Sequence, residues 1–194
     1  MRINWDPGTM VYPLPAVLVS CGAHESEYNV LTVSWTGTVC TSPPMCYVSI
    51  RPERYSYDII KRNGCFVINL TNENLAMATD LCGVKSGRDC DKFSLAGITP
   101  GKAAVVNAPT VLESPISIEC EVTEIKPLGS HDMFLAKVVN VMVDDRYIDR
   151  TGKLDLARVG LIAYSHGEYF SLNKVLGFFG WSVRKKKVIK RDKR

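Results

Sequence analysis

The segment NVLTVSWTGTVCTSPPMCYVSIRPERYSY, residues 29–57, gathers groups that suit an anion joined to a flat organic ring. Thr32, Ser34, Ser49 and Ser56 offer hydroxyls, Arg51 and Arg54 offer guanidinium groups, and Trp35 and Tyr55 offer aromatic surface. A phosphate monoester carries about −1.5 to −2 charges near neutral pH and three strong acceptor oxygens, so it needs short donors and cations close together. A broad apolar ring with polar edges needs aromatic cover and backbone N–H and C=O groups to read those edges. Taken singly, Arg51 reads as a solvated surface charge, Trp35 as core, and Asn29 or Ser86-Gly87 as turn residues. Only the combination points to a ligand.

Other chemistries lack their residues. His24, His131 and His166 are far apart and none lies in an H-E-x-x-H pattern, so no metal set is expected. His166-Gly167-Glu168 begins like a zinc deaminase signature, but no P-C-x-x-C follows. No G-x-G-x-x-G follows a strand, which removes the dinucleotide-binding doubly wound sheet. Gly97-Ile98-Thr99-Pro100-Gly101-Lys102-Ala103 comes near a P-loop but has one residue too few between its glycines. It also has Ala103 where the magnesium-binding hydroxyl belongs, so it reads as a Pro-Gly turn.

The chain of 194 residues is long enough for one domain with a sizeable core. Its net charge of +4 is uneven: the last eleven residues, from Arg184, carry eight basic groups and one acid. The chain therefore divides into a mildly acidic folded domain over 1–183 and a basic tail over 184–194, read as a flexible, solvated terminus. The seven cysteines are odd in number and form no C-x-x-C, which argues against zinc ribbons, redox dithiols and disulfide frameworks. The N-terminus does not read as a signal peptide, and no apolar run reaches the ~20 residues of a membrane span. The expected location is cytoplasmic, with reduced thiols.

The elements that must position the opening residues are mostly strands. YNVLTVSW alternates Val30, Thr32 and Ser34 against Leu31, Val33 and Trp35. AVLVSCGA, MCYVSIR, CFVINL, SPISIECEVTEI and MFLAKVVNVMVDD read as further strands, and LIAYS and EYFSL flank a tight connection at Ser165-His166-Gly167. In SPISIECEVTEI, Ile116, Ile118, Cys120 and Val122 are expected inside, with Ser117, Glu119, Glu121 and Thr123 wet. SYDIIKRNG reads as a helix with Ser56 as candidate N-cap and Gly64 as its stop. ENLAMATDLCG reads as a second helix, stopped at Gly83. Many strands with one or two short connecting helices imply a mostly β fold, a closed or partly closed antiparallel barrel.

The order and spacing of PLPAVLVSC, NVLTVSWTG, SPPMCYVSIRPERYSYDII, GCFVINL, SGRDCDKF and GSHDMFLAKVVNV resemble the flavin reductase-like family of FMN-binding split barrels, most of all its flavoredoxin branch. The resemblance runs from near the N-terminus to about Tyr164. It implies a Greek-key antiparallel split β-barrel with FMN at its edge, commonly at a homodimer interface. Carried over, it implies that Asn29, Thr32, Val33, Ser34 and Trp35 border the isoalloxazine and ribityl chain. Ile50, Arg51, Tyr55 and Ser56 would approach the ribityl-phosphate end, joined by Ser86 and Lys92. His131 and Tyr164 would lie against the ring, with His131 as the catalytic candidate. Family members often show Gly-Asp-His where this chain has Gly129-Ser130-His131, with Asp132 following the histidine.

The implied function is an FMN-dependent oxidoreductase that takes electrons from NADH or NADPH, as transient substrates, or from a protein donor. The alternative is an FMN-binding electron carrier that oxidises no nicotinamide itself, working with a redox protein partner. A small barrel with a basic tail could also hold single-stranded nucleic acid, but the acidic body weighs against that reading.

Overall fold

The computed structural model describes residues 1–172 and 174–184. Residues 185–194 of the expected basic tail lie outside the described residues. In chain order the strands and α-helices are β1 (Leu14–Pro15), β2 (Val17–Cys21), β3 (Asn29–Val33), β4 (Thr36–Cys40), β5 (Met45–Ile50), α1 (Tyr55–Asn63), β6 (Cys65–Leu70), α2 (Ala76–Val84) and α3 (Lys92–Ala96). They continue with β7 (Pro100–Lys102), β8 (Pro109–Val111), β9 (Ile116–Pro127), β10 (Asp132–Val143), α4 (Leu156–Val159), β11 (Ile162–Ser165) and β12 (Glu168–Ser171). Among the described residues no helix is long and apolar enough to cross a membrane.

Seven strands form one antiparallel sheet in the order β3-β2-β6-β9-β10-β5-β4. The strands β3 and β4 are its two edges, yet only Ser34 and Trp35 connect them. A two-residue link cannot cross a flat seven-stranded sheet, because neighbouring strands lie about 4.8 Å apart. The sheet therefore rolls until its edges meet, giving the split barrel. Ser49 N–H donates to the Trp35 carbonyl at 2.8 Å and Thr36 N–H to that of Ser34 at 3.0 Å, which fixes the seam.

Alternation explains why β2 reads as a solid apolar run. Val17, Val19 and Cys21 point into the barrel with Leu31, Val33, Val48, Phe66, Ile68 and Phe134. Leu18 points outward, with Val30, into a second cluster under α2 and α3 built from Leu75, Ala78, Cys82 and Phe93. Both faces are thus covered, as for a strand at the centre of a layered domain. The helix α1 adds Tyr57, Ile59 and Ile60 to the barrel cluster and leaves Asp58, Lys61 and Arg62 in solvent. It stops at Gly64, whose φ of +68° is the left-handed cap that glycine adopts without Cβ strain. His166 and Gly167, at φ +50° and +93°, make the tight β11–β12 hairpin read from the sequence.

Several expectations are corrected. Ser56 is not an N-cap: Arg54 holds that position without a side-chain cap bond, and Ser56 lies inside the first turn. The second helix runs through Gly83 to Val84, and its entry turn is capped by Asn72, which accepts from Leu75 N–H at 3.3 Å. Pro100-Gly101 is part of β7, paired with β8, rather than a turn. The face of β9 expected to be wet is buried at Ser117 and Glu119: the segment 104–106 lies across Glu119, and Ser117 Oγ donates to the buried Asn69 Oδ1 at 2.8 Å. Glu119 accepts from the N–H groups of Ala104, Val105 and Val106 at 3.0, 2.7 and 2.9 Å, and from Asn140 Nδ2 at 2.7 Å. Burial pushes its carboxyl up, but these four donors outweigh burial and hold it below the usual carboxylate range.

Candidate functional site

The carboxyl end of β5 and the first turn of α1 face the loop between α2 and α3 across a cavity of about 220 Å³. Asn29, Arg51, Tyr55, Ser56, Ser86 and Lys92 all line it. Asn29 is the first residue of β3, and its Nδ2 donates to Ser56 Oγ at 2.6 Å. Lys92 opens α3, which Asp91 caps by accepting from Phe93 and Ser94 N–H at 3.0 and 3.3 Å. Its stem is buried, and Nζ donates to the Cys82 carbonyl at 2.8 Å. Burial, and behind it charges such as Arg54, hold the Lys92 ammonium below its ordinary value. An arriving anion would reverse that.

Arg54, Lys85 and Arg88 line the same cavity. Five cationic side chains and one carboxylate, Glu53, therefore surround it, and Glu53 is paired with Arg51 at 2.7 Å. The first N–H groups of α1 open at this place, where a helix N-terminus favours negative charge. Backbone packs closely here: a Cβ at Gly87 would overlap the Asn29 amide and the Tyr55 ring. This donor set fits a phosphate ester.

A second cavity, of about 240 Å³, adjoins the first and shares Leu31, Arg51 and Arg54 with it. It is lined by Thr32, Val33, Ser34, Trp35, Ile50, His131 and Tyr164. Joined, the two cavities reach the ~300–1,000 Å³ range of small-molecule sites. The Trp35 and His131 rings stack at 5.9 Å with 8° between planes, and Tyr164 meets Tyr169 edge-on at 5.7 Å. Trp35 keeps 38% exposure, so the stack leaves aromatic surface open. Burial first, and then Arg51, hold His131 below the ordinary imidazole value, which leaves the ring neutral near pH 7. Its Nδ1 lies 2.9 Å from Ser130 Oγ. A serine hydroxyl donating there leaves the ring proton on Nε2, free for a partner.

All thirteen residues named from the sequence line one or other of these cavities. Thr32 contributes surface rather than a free donor, since its hydroxyl donates to the Thr79 carbonyl. Arg54, singled out with Arg51 in the opening segment, lines both cavities, whereas sequence reasoning did not assign Lys85, Arg88, Gly87 and Tyr169. Arg88 was legible only through its place in SGRDCDKF. It donates to the Glu53 carbonyl at 2.8 Å, with its guanidinium 5.6 Å from the Tyr55 ring centroid. A wider cleft of about 820 Å³ beyond Gly87 carries Glu25, Asp89 and Asp91, which suits an anion less well than the smaller pair.

A family model described as flavin reductase like domain matches residues 9–173. An uncharacterized protein of Pyrococcus abyssi is 32% identical over 130 residues, covering 67% of this chain and 74% of that one. The FMN reductase (NADH) RutF of Pseudomonas syringae pv. syringae is 25% identical over 104 residues, 54% of this chain and 56% of that protein. Among solved structures, flavoredoxin of Desulfovibrio vulgaris (Miyazaki F) superposes with a TM-score of 0.88 at 28% identity, over 95% of this chain and 100% of that one.

Proposed function

The chain belongs to the flavin reductase-like family, and from that premise we propose that it binds FMN in the joined cavities and works as an FMN-dependent oxidoreductase. The observation that carries this is one cleft, cationic at one end and aromatic at the other. Ser56, Ser86, Arg51, Lys92 and the first turn of α1 hold the phosphate. Asn29 keeps Ser56 oriented. Backbone groups of residues 32–35 read the edges of the ring, while Trp35, Ile50 and Tyr164 exclude water from its faces. The bound flavin supplies two-electron acceptance and release. His131, neutral and presenting Nε2, holds or exchanges a proton at the ring. Electrons enter from NADH, NADPH or a protein donor and leave to an acceptor.

An electron carrier without its own nicotinamide oxidation is the second reading, favoured by the likeness to a flavoredoxin. Ser130, where an acidic residue is common before the histidine, also favours it. A homodimer is part of the proposal. Exposed Trp5, Met10 and Val11 at one chain end, and Phe178, Phe179 and Trp181 at the other, are apolar surface suited to a second copy. Seven unpaired cysteines suit the reducing cytoplasm.

The test is titration of the purified protein with FMN, followed by anaerobic mixing with NADH and NADPH. Saturable binding with bleaching of the visible flavin band supports the reductase. Binding without bleaching selects the carrier, and no binding overturns both.

A further inference from the structure

Two residues that this chemistry does not touch join its two ends. Tyr57 follows Ser56 on α1, and Asp132 follows His131 at the start of β10. Neither lines either cavity. Both are buried, at 7% and 9% exposure, and Tyr57 Oη donates to Asp132 Oδ2 at 2.5 Å. The Asp132 acceptor, and burial behind it, push the Tyr57 phenol up to about 12, so it stays a donor at any physiological pH.

The surroundings make this bond a strut. On the Asp132 side, the backbone is already fixed: Asp132 pairs with Ile50 on β5 and Pro127 on β9, and Leu128 N–H donates to the His131 carbonyl at 3.0 Å. On the Tyr57 side, the ring meets Phe134 edge-on at 5.2 Å and 79°. Phe134 is fully buried and lies two residues along β10 from Asp132. The strut thus ties the first turn of α1, where the phosphate would sit, to the turn that presents His131 to the ring.

A ligand with two linked ends gains from the second contact only when the two subsites are held at the matching separation. We propose that Tyr57 and Asp132 are positioning residues that set the separation between the anion end and the ring end, so that both halves of one FMN engage together. This rests on the FMN reading. The worth of the phosphate end is read as the ratio of the riboflavin Kd to the FMN Kd. Loosening the strut lowers that ratio and spares the ring contacts.

The experiment measures both dissociation constants by flavin fluorescence quenching, with Tm alongside. The variants are Tyr57→Phe, Asp132→Ala, the double variant and Asp132→Asn. The expected result is a roughly three- to tenfold fall in the ratio for Tyr57→Phe and for Asp132→Ala. The double variant falls no further than either single, because one bond is being removed twice. Asp132→Asn, whose amide oxygen can accept the same bond, recovers most of the ratio.

A role confined to barrel stability predicts something else: a lower Tm with both flavins weakened equally, or neither weakened. That outcome overturns the proposal, as does an Asp132→Asn variant indistinguishable from Asp132→Ala. If Asp132→Ala does not fold, Tyr57→Phe, which keeps the ring against Phe134, decides alone. The unmodified protein separates this inference from its premise. If it fails to bind FMN, the FMN reading falls and takes the strut with it. If it binds FMN and Tyr57→Phe leaves the ratio unchanged, only the strut is lost.

Discussion

Replacing Lys92 by methionine tests the anion end directly. Methionine keeps most of the buried stem and removes the charge. A charge-assisted hydrogen bond to the phosphate is worth about 1.5–3 kcal/mol, so the FMN Kd should rise roughly 10- to 150-fold. Riboflavin, without the ester, is the control and should bind Lys92→Met as it binds the unmodified protein. The substitution also removes the Nζ bond to the Cys82 carbonyl near the end of α2. That loss is partly offset, because burial already disfavours the ammonium in the free protein. The Tm should therefore change far less than the affinity. The same shift gives a pH signature. The free protein holds the Lys92 pKa down, and a bound dianion raises it, so binding takes up a proton between the two values. Affinity of the unmodified protein falls as pH rises through the free-protein pKa, and Lys92→Met lacks that fall. Titration by flavin fluorescence across pH checks both points. An FMN Kd within about twofold of the parent, in a folded Lys92→Met protein, would refute the assignment of Lys92 to the phosphate.

Three further outcomes are expected. Glu119→Ala strands the N–H groups of residues 104–106 and should destabilise the fold in urea unfolding by about 1–3 kcal/mol for each donor left buried without a partner. The folded-state pKa of Glu119 is depressed, so its stabilisation is complete above the ordinary carboxylate range and is lost as pH falls through the folded value. Glu119→Gln should lack that acid-side slope in Tm against pH. Gly87→Ala forces a Cβ into the Asn29 amide and the Tyr55 ring, which should cost about 1–3 kcal/mol of stability and weaken FMN binding in titration. Deleting residues 184–194 should leave FMN affinity unchanged and remove any salt-sensitive retention on single-stranded DNA.

Features set by local rules were legible in the sequence. Alternation located β2 and β3, the Asn63-Gly64 pair located the end of α1, and Ser165-His166-Gly167 located a hairpin. Features set by what lies across a face were not. Glu119 occupies a position with the periodicity of a wet residue, and only the segment crossing over it makes it an anchor. Ser56 has the right chemistry for an N-cap, but Arg54 takes that place and frees the serine for Asn29 and the cavity. Pro100-Gly101 has turn composition, but pairing with Pro109–Val111 draws it into a strand. At the candidate site, the residues named from the sequence came from one compact segment and a recognisable order of motifs. Lys85 and Arg88 were not assigned because an isolated basic residue carries no sign of where it points. The Tyr57–Asp132 bond joins positions 75 apart in sequence, beyond the reach of any local pattern.

Ser34 and Trp35 close the rolled sheet, and both also line the cavity beside His131. The latch of the architecture is thereby a wall of the binding cleft. Breathing there would release the ligand and expose the Thr36 and Ser49 amides in a single event. Cofactor residence time and slow hydrogen exchange at those two amides should then rise and fall together. A chain built this way could not hasten release of a ligand held there without loosening its own closure.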